Sequence, residues 1–158
     1  MKTHELKLDI KYFDDVKAGK MKFDIHKNDH DFEVGDILDL KAYDARVGYM
    51  KMDTKTLLDE HFAEVEKTAW FKVKSSKSAD ILRARVTCIL SSMEVNEGID
   101  FMNFKPEVSL FEDEALPFMK AGWRLDWDYE YFLKVLKNFS HSDKLPDGYV
   151  ILGIEVLK

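Results

Sequence analysis

A mixed α+β fold, built as a small β-barrel with peripheral helices and two insertions, is what this sequence predicts. Three features lead there. Short stretches of alternating apolar and polar residues recur along the chain, helical periodicity is confined to a few segments, and residues 149–156 form a strongly apolar terminal strand. A doubly wound parallel sheet would need crossover helices at regular intervals, and these are missing from the pattern. With 158 residues and a 46% apolar composition, the chain can bury the core of one domain, here residues 1–158.

Residues 5–9 alternate as a short strand. Tyr12, Phe13 and Val16 then share one side of a short helix ending at Gly19. Residues 22–27 form the next strand, and residues 28–35, with Asn28, Asp29, Asp31 and Gly35, form a loop held by side-chain to backbone hydrogen bonds. Residues 37–43 resume as a strand with Leu38, Leu40 and Ala42 on one face. Over residues 53–67, Leu58, Phe62 and Val65 recur at helical spacing beside Leu57, with Asp53 or Thr54 as cap, so an amphipathic helix is predicted.

Strands follow over 70–74 and 83–90, separated by a turn at 74–78; the second sets Val86, Cys88 and Leu90 against Arg83, Arg85 and Thr87. Residues 91–122 mix Glu94, Glu97, Asp100, Glu107, Glu112, Asp113 and Glu114 with scattered aromatics in no clear period, and predict loops with one short strand. Residues 127–139 predict a helix whose stripe is Tyr129, Phe132, Leu133, Leu136 and Phe139. Its acids Asp126, Asp128 and Glu130 lie at the start and Lys134 and Lys137 near the end, as the helix dipole favours. A polar linker over 140–148 leads to the terminal strand, expected to close the sheet with Val150, Leu152, Ile154 and Val156 on one face. Residues 44–78 and 91–140 read as the two insertions.

Thirty acidic and 24 basic residues give a net charge of -6, which argues against non-specific wrapping of long duplex nucleic acid but leaves room for a local cationic pocket. The single cysteine, Cys88, lies in an apolar run and predicts a buried thiol in a reducing compartment. No stretch approaches the roughly 20 apolar residues that span a bilayer, so a soluble, cytoplasmic protein without a membrane partner is expected.

The segment around residues 19–36 carries the candidate site. If Phe23 and Ile25 face the core, Lys22, Asp24 and His26 project together from the other face of their strand. Lys22 offers a point charge for a phosphate, Asp24 an acceptor for a base amino group, and His26 a donor or a stacking ring. Lys20 stands beside them in sequence, and Arg83 and Arg85 add cationic donors if their strand runs alongside. The same trio also fits the solvated face of an edge strand, where charges discourage unwanted pairing.

These residues resemble a known family. His4-Glu5-Leu6-Lys7, the short helix to Gly19, the strand with Asp24 and His26, Lys27-Asn28-Asp29 with Asp31-Phe32, and Val34-Gly35-Asp36-Ile37-Leu38 are similar to ASCH domains of the PUA-like fold (after pseudouridine synthase and archaeosine transglycosylase). The likeness is greatest to a bacterial and phage-associated subgroup of unknown function, DUF3850, and extends to residues 85–90 and 148–152. It implies a small mixed PUA-like β-barrel and a cleft that takes RNA or a nucleotide-like ligand. The usual ASCH signature of glycine, lysine, glutamate and arginine falls here on Gly19, Met21, Asp24 and His26, so three of its four positions depart.

Three functions follow as expectations. The first is recognition of RNA or a modified nucleotide without a cofactor, through Lys20, Lys22, Asp24, His26, Arg83 and Arg85. The second is an amidohydrolase for an N-acylated nucleoside, as one small ASCH member resembles. Met21 occupies the lysine position that such an activity would use, so Lys22, with Asp24 and His26, would have to carry catalysis. The third is a protein-interaction adaptor using the acids between Glu94 and Glu114. No metal site is expected, because the residues between His26 and His30 read as a loop and Asn28, Asp29 and Asp31 as loop formers. His61 reads as a partly buried histidine of the 53–67 helix. Trp123, Trp127, Tyr129 and Tyr131 read as core more readily than as a stacking platform.

Overall fold

The computed structural model describes residues 1–104 and 116–158. In chain order they form β1 (Thr3–Asp9), α1 (Ile10–Lys17), β2 (Phe23–Lys27), β3 (Ile37–Asp44), β4 (Gly48–Leu58), β5 (Glu64–Lys72), a 3-10 turn (Ser76–Ser78), β6 (Ile81–Ser91), α2 (Ser92–Phe104), α3 (Pro117–Leu125), α4 (Tyr129–Ser140) and β7 (Tyr149–Val156).

The seven strands make one mixed sheet in the order β2-β7-β6-β3-β4-β5, with β1 paired in parallel to β3. The sheet is open, which corrects the barrel expected from sequence. Among the described residues β2 pairs only with β7, β1 only with β3 and β5 only with β4. β1 and β2 line a common cavity, where a barrel would need a ladder of hydrogen bonds. The terminal strand β7 therefore lies inside the sheet, between β2 and β6, instead of closing it.

The core sits on both faces. Leu38, Leu40 and Ala42 of β3 are fully buried, as the alternation predicts, and lie opposite Leu82 and Ala84 of β6 or Leu6 and Leu8 of β1. α1 covers this face, with Val16 beside Leu82 and Ile154. The other face carries Ile151 and Gly153 under α2 and α3, with Phe132 of α4 against Phe23. Phe23 of β2 packs there, its ring 5.1 Å from Phe132 and 5.4 Å from Trp127. Consequently β2 is buried on both sides, and its alternation separates two interiors instead of core from solvent.

Three further expectations are corrected. Residues 53–67 are not a helix: they belong to the β4–β5 hairpin, in which Thr54 and Thr68 pair with hydroxyls 2.6 Å apart. The turn is tied by Asp59, whose Oδ1 accepts from the amides of His61 and Ala63, and the helical spacing of Leu58, Phe62 and Val65 is coincidental. His61 is consequently exposed at the hairpin tip. A bulge between Val86 and Cys88 flips β6, so Cys88, paired with Gly153, faces away from Val86, paired with Ile154. The stretch read as loops holds α2, which carries Glu94, Glu97 and Asp100, and α3; Glu107, Glu112, Asp113 and Glu114 lie outside the described residues. No helix among the described residues is long and apolar enough to cross a membrane.

Candidate functional site

A cavity of about 330 Å³ opens in the gap between β1 and β2. One wall is β1, through Lys7, Leu8 and Asp9; the other is β2, through Asp24, Ile25 and His26. Tyr12 of α1 and Met21 line it from one side, Tyr43 from the end of β3, and Val135, Asn138 and Phe139 from α4. The parallel register sets Asp9 opposite Tyr43, which brings β1 and the end of β3 to the same mouth.

Asp24 is the chemical centre of this cavity. It is 7% exposed, its Oδ2 has no hydrogen-bond partner among the described residues, and the same is true of the Tyr12 hydroxyl. Burial pushes the Asp24 carboxyl up to about 7, against the smaller opposing influence of the Ile25 backbone amide. Two buried oxygens without partners carry a free-energy cost that a hydrogen-bonding ligand or water would relieve. The cations nearby are Lys7, whose Nζ lies 4.5 Å from the Tyr43 ring centroid, and Lys11, whose Nζ lies 5.3 Å from the Tyr12 ring and 4.0 Å from Asp9 Oδ2.

His26 stands at the far end of the wall, half-buried. Burial is the largest influence on it and lowers its pKa; Asp29 opposes that shift and His30 adds to it. The imidazole rings of His26 and His30 have centroids 5.7 Å apart, and Phe32 lies against both.

The other residues singled out from sequence go elsewhere. Lys22 lines a separate recess with Lys17, Glu155 and Lys158, so the trio Lys22, Asp24 and His26 does not converge on one cleft. Lys20 is exposed, its Nζ 5.1 Å from the Tyr131 ring. Arg83 and Arg85 alternate with buried Leu82, Ala84 and Val86 and so lie on the outer side of β6; Arg83 Nε donates to Asp39 Oδ1 at 3.0 Å. Neither arginine lines the cavity. Of the aromatics read as core, Trp127 stacks on Phe132 at 10°, whereas Trp123 is exposed; both line a second cavity.

Lys7, Lys11, Tyr12 and Tyr43 were not legible as site residues. Lys7, Lys11 and Tyr12 are neighbours at the β1–α1 junction, but Tyr43 joins them only through parallel pairing with a segment more than thirty positions away, which no local pattern announces. The same holds for the buried pair of His4 Nε2 and Asp36 Oδ2, 2.8 Å apart. Asp36 also accepts from the amides of Lys2 and Glu33, and these bonds, the one to His4 foremost, hold its carboxyl well below the usual range. Thus His4 and Asp36 fasten the start of β1 to the 28–36 loop, a structural role for two residues of the family-like pattern.

No curated protein matches the chain. Among solved structures, the crystal structure of hypothetical protein PH0355 is similar at 20% identity and a TM-score of 0.41, covering 99% of this chain and 100% of that one. The solution NMR structure of protein PF0455 from Pyrococcus furiosus is similar at 15% identity and a TM-score of 0.40, covering 99% of this chain and 98% of that one. The stretch that carries β1, β2, the 28–36 loop and the residues Lys7, Asp24 and His26 is also the stretch, residues 3–67, that matches the family model described as a domain of unknown function, DUF3850.

Proposed function

We propose that the cleft between β1 and β2 recognises a nucleotide, either free or as one unit of single-stranded RNA, without a cofactor. The observation that carries this reading is a pair of buried oxygens, Asp24 Oδ2 and Tyr12 Oη, that have no hydrogen-bond partner among the described residues, on two residues lining a cavity beside Lys7 and Lys11. A base edge presents adjacent donors and acceptors. A carboxyl that holds its proton near neutrality both donates and accepts, so it complements such an edge. Lys7 and Lys11 supply the positive charge that a phosphate needs, on a chain whose net charge is -6. The likeness of the first part of the chain to ASCH domains supports the same ligand class. A cytoplasmic setting fits the single cysteine.

The hydrolase reading has one point in its favour: a carboxyl titrating near 7 suits general acid-base work. Asp24, and not Lys22, would carry it.

The test is calorimetric titration of the full chain with nucleoside monophosphates and short single-stranded RNAs. Wild-type protein should bind at least one of them saturably. Asp24→Ala, and separately Lys7→Ala with Lys11→Ala, should each weaken that binding about tenfold or more, the usual effect of losing a hydrogen bond to a charged group. A panel without binding, or binding that both variants retain, overturns the proposal.

A further inference from the structure

The turn that follows β2 brings together a second set of groups, two of which, Asp29 and His30, lie outside the cleft. The chain leaves the strand at Lys27. The amide of Asn28 donates to the carbonyl of Gly148 at 2.8 Å, that of Asp29 to the carbonyl of Lys27 at 2.9 Å, and Asp31 adopts a left-handed φ of 49°. This fold-back returns Asp29 and His30 to His26, so that one ligand-capable atom of each residue lies within 4.8 Å of the other two.

Phe32 lies against both imidazoles. It is 8% exposed; His30 stacks on it with ring centroids 5.5 Å apart at 25°, and His26 meets it edge-on at 5.9 Å. A single buried ring therefore limits the orientations of both histidines, which reduces the ordering cost of closing a site around an ion.

We propose that His26, Asp29 and His30 form a binding site for a first-row divalent transition ion, with Zn²⁺ the best match. Two imidazole nitrogens and one carboxylate oxygen suit Zn²⁺, Co²⁺ or Ni²⁺, whereas Ca²⁺ and Mg²⁺ favour oxygen-rich shells of six or more ligands. Zn²⁺ holds such ligands at about 2.0–2.2 Å, so neighbouring donors of a tetrahedron stand about 3.3–3.6 Å apart. His30 Nε2 and Asp29 Oδ1 already stand 3.4 Å apart and both residues are exposed, while half-buried His26 serves as the anchor. Three protein ligands on a partly open surface leave a coordination position for water or for a group on a partner molecule. The inference does not depend on the nucleotide reading: His26 lines that cavity, but Asp29 and His30, the positions varied in the test, do not.

The experiment uses the full chain without a polyhistidine tag, dialysed against chelator and titrated with CoCl₂ by visible absorption and with ZnCl₂ by calorimetry. One ion per chain is expected, with Co²⁺ bands that Zn²⁺ displaces. His30→Ala should abolish the bands, and Asp29→Asn should weaken affinity by at least the about 10–100-fold that even an outer partner of a metal site contributes. Both changes fall on exposed positions, so they carry the test if His26→Ala disturbs folding. His61→Ala and His141→Ala, remote in sequence from the trio, should bind as wild type does. Absence of saturable binding, or affinity unchanged in both His30→Ala and Asp29→Asn, overturns the proposal.

Discussion

Asp24 and Asp36 are both buried aspartates, yet their surroundings shift them in opposite directions. Asp24 is raised from 3.8 to about 7 in the folded chain. Between those values the folded state holds a proton that the unfolded state has released, so stability declines as pH climbs through the window and levels off above it. A shift of that size corresponds to a loss on the order of 4 kcal/mol at full ionisation. Asp36 is lowered by its bond to His4 and by two amides, so its contribution is present at neutral pH and is lost as pH falls below the usual carboxylate range. In Asp24→Asn the decline between pH 4 and 7 should disappear while the acid limb remains. Urea midpoints measured across pH test this; a variant whose midpoint still falls over that interval would refute it. The alternation around Phe23 correctly put Asp24 on a face opposite the aromatic, but it could not reveal that this face is also interior. That burial comes from α1 and β1, which reach Asp24 only through the tertiary fold.

At the level of elements, local periodicity was a good guide wherever one side of a segment meets water and a poor one elsewhere. β1, α1, β3, α4 and β7 follow their patterns closely because each presents a single buried stripe or an unbroken apolar run. The β4–β5 hairpin misled because residues 51–58 and 64–68 are exposed on both faces, leaving no burial to impose a period of two. The bulge in β6 was likewise invisible, being fixed by its neighbour β7. There Gly153 is required for close approach: a Cβ at that position would collide with Cys88 Sγ and come within 2.8 Å of Thr87 Oγ1 and 3.0 Å of Leu125 Cδ1. Gly153→Ala should therefore destabilise the protein by about 1–3 kcal/mol, the usual range for overpacking. Chemical denaturation checks this, and an unchanged midpoint would show that β6 and α3 can yield at no cost.

For the molecule as a whole, the sequence conveyed a mixed sheet with flanking helices but not its openness, since closure depends on whether two distant edges meet. Charge is arranged on the same scale. A chain of net charge -6 that attracts an anion through two lysines should do so weakly over long distances and with modest salt sensitivity. If the nucleotide reading holds, the logarithm of affinity for single-stranded RNA should fall against the logarithm of salt with a slope of about -1 to -1.5, as two phosphate contacts imply. A much steeper slope in calorimetric titrations at several salt concentrations would mean that a broader basic surface takes part.

Met21, 2% exposed, lines the cleft of Asp24 and also the recess of Lys22. Its flexible thioether chain thus lies between the two cavities. The Met21 amide is held by the carbonyl of Asp15 at 3.1 Å, so any adjustment between the two cavities falls to its unbranched side chain. A change of rotamer there would reshape the lining of both cavities together.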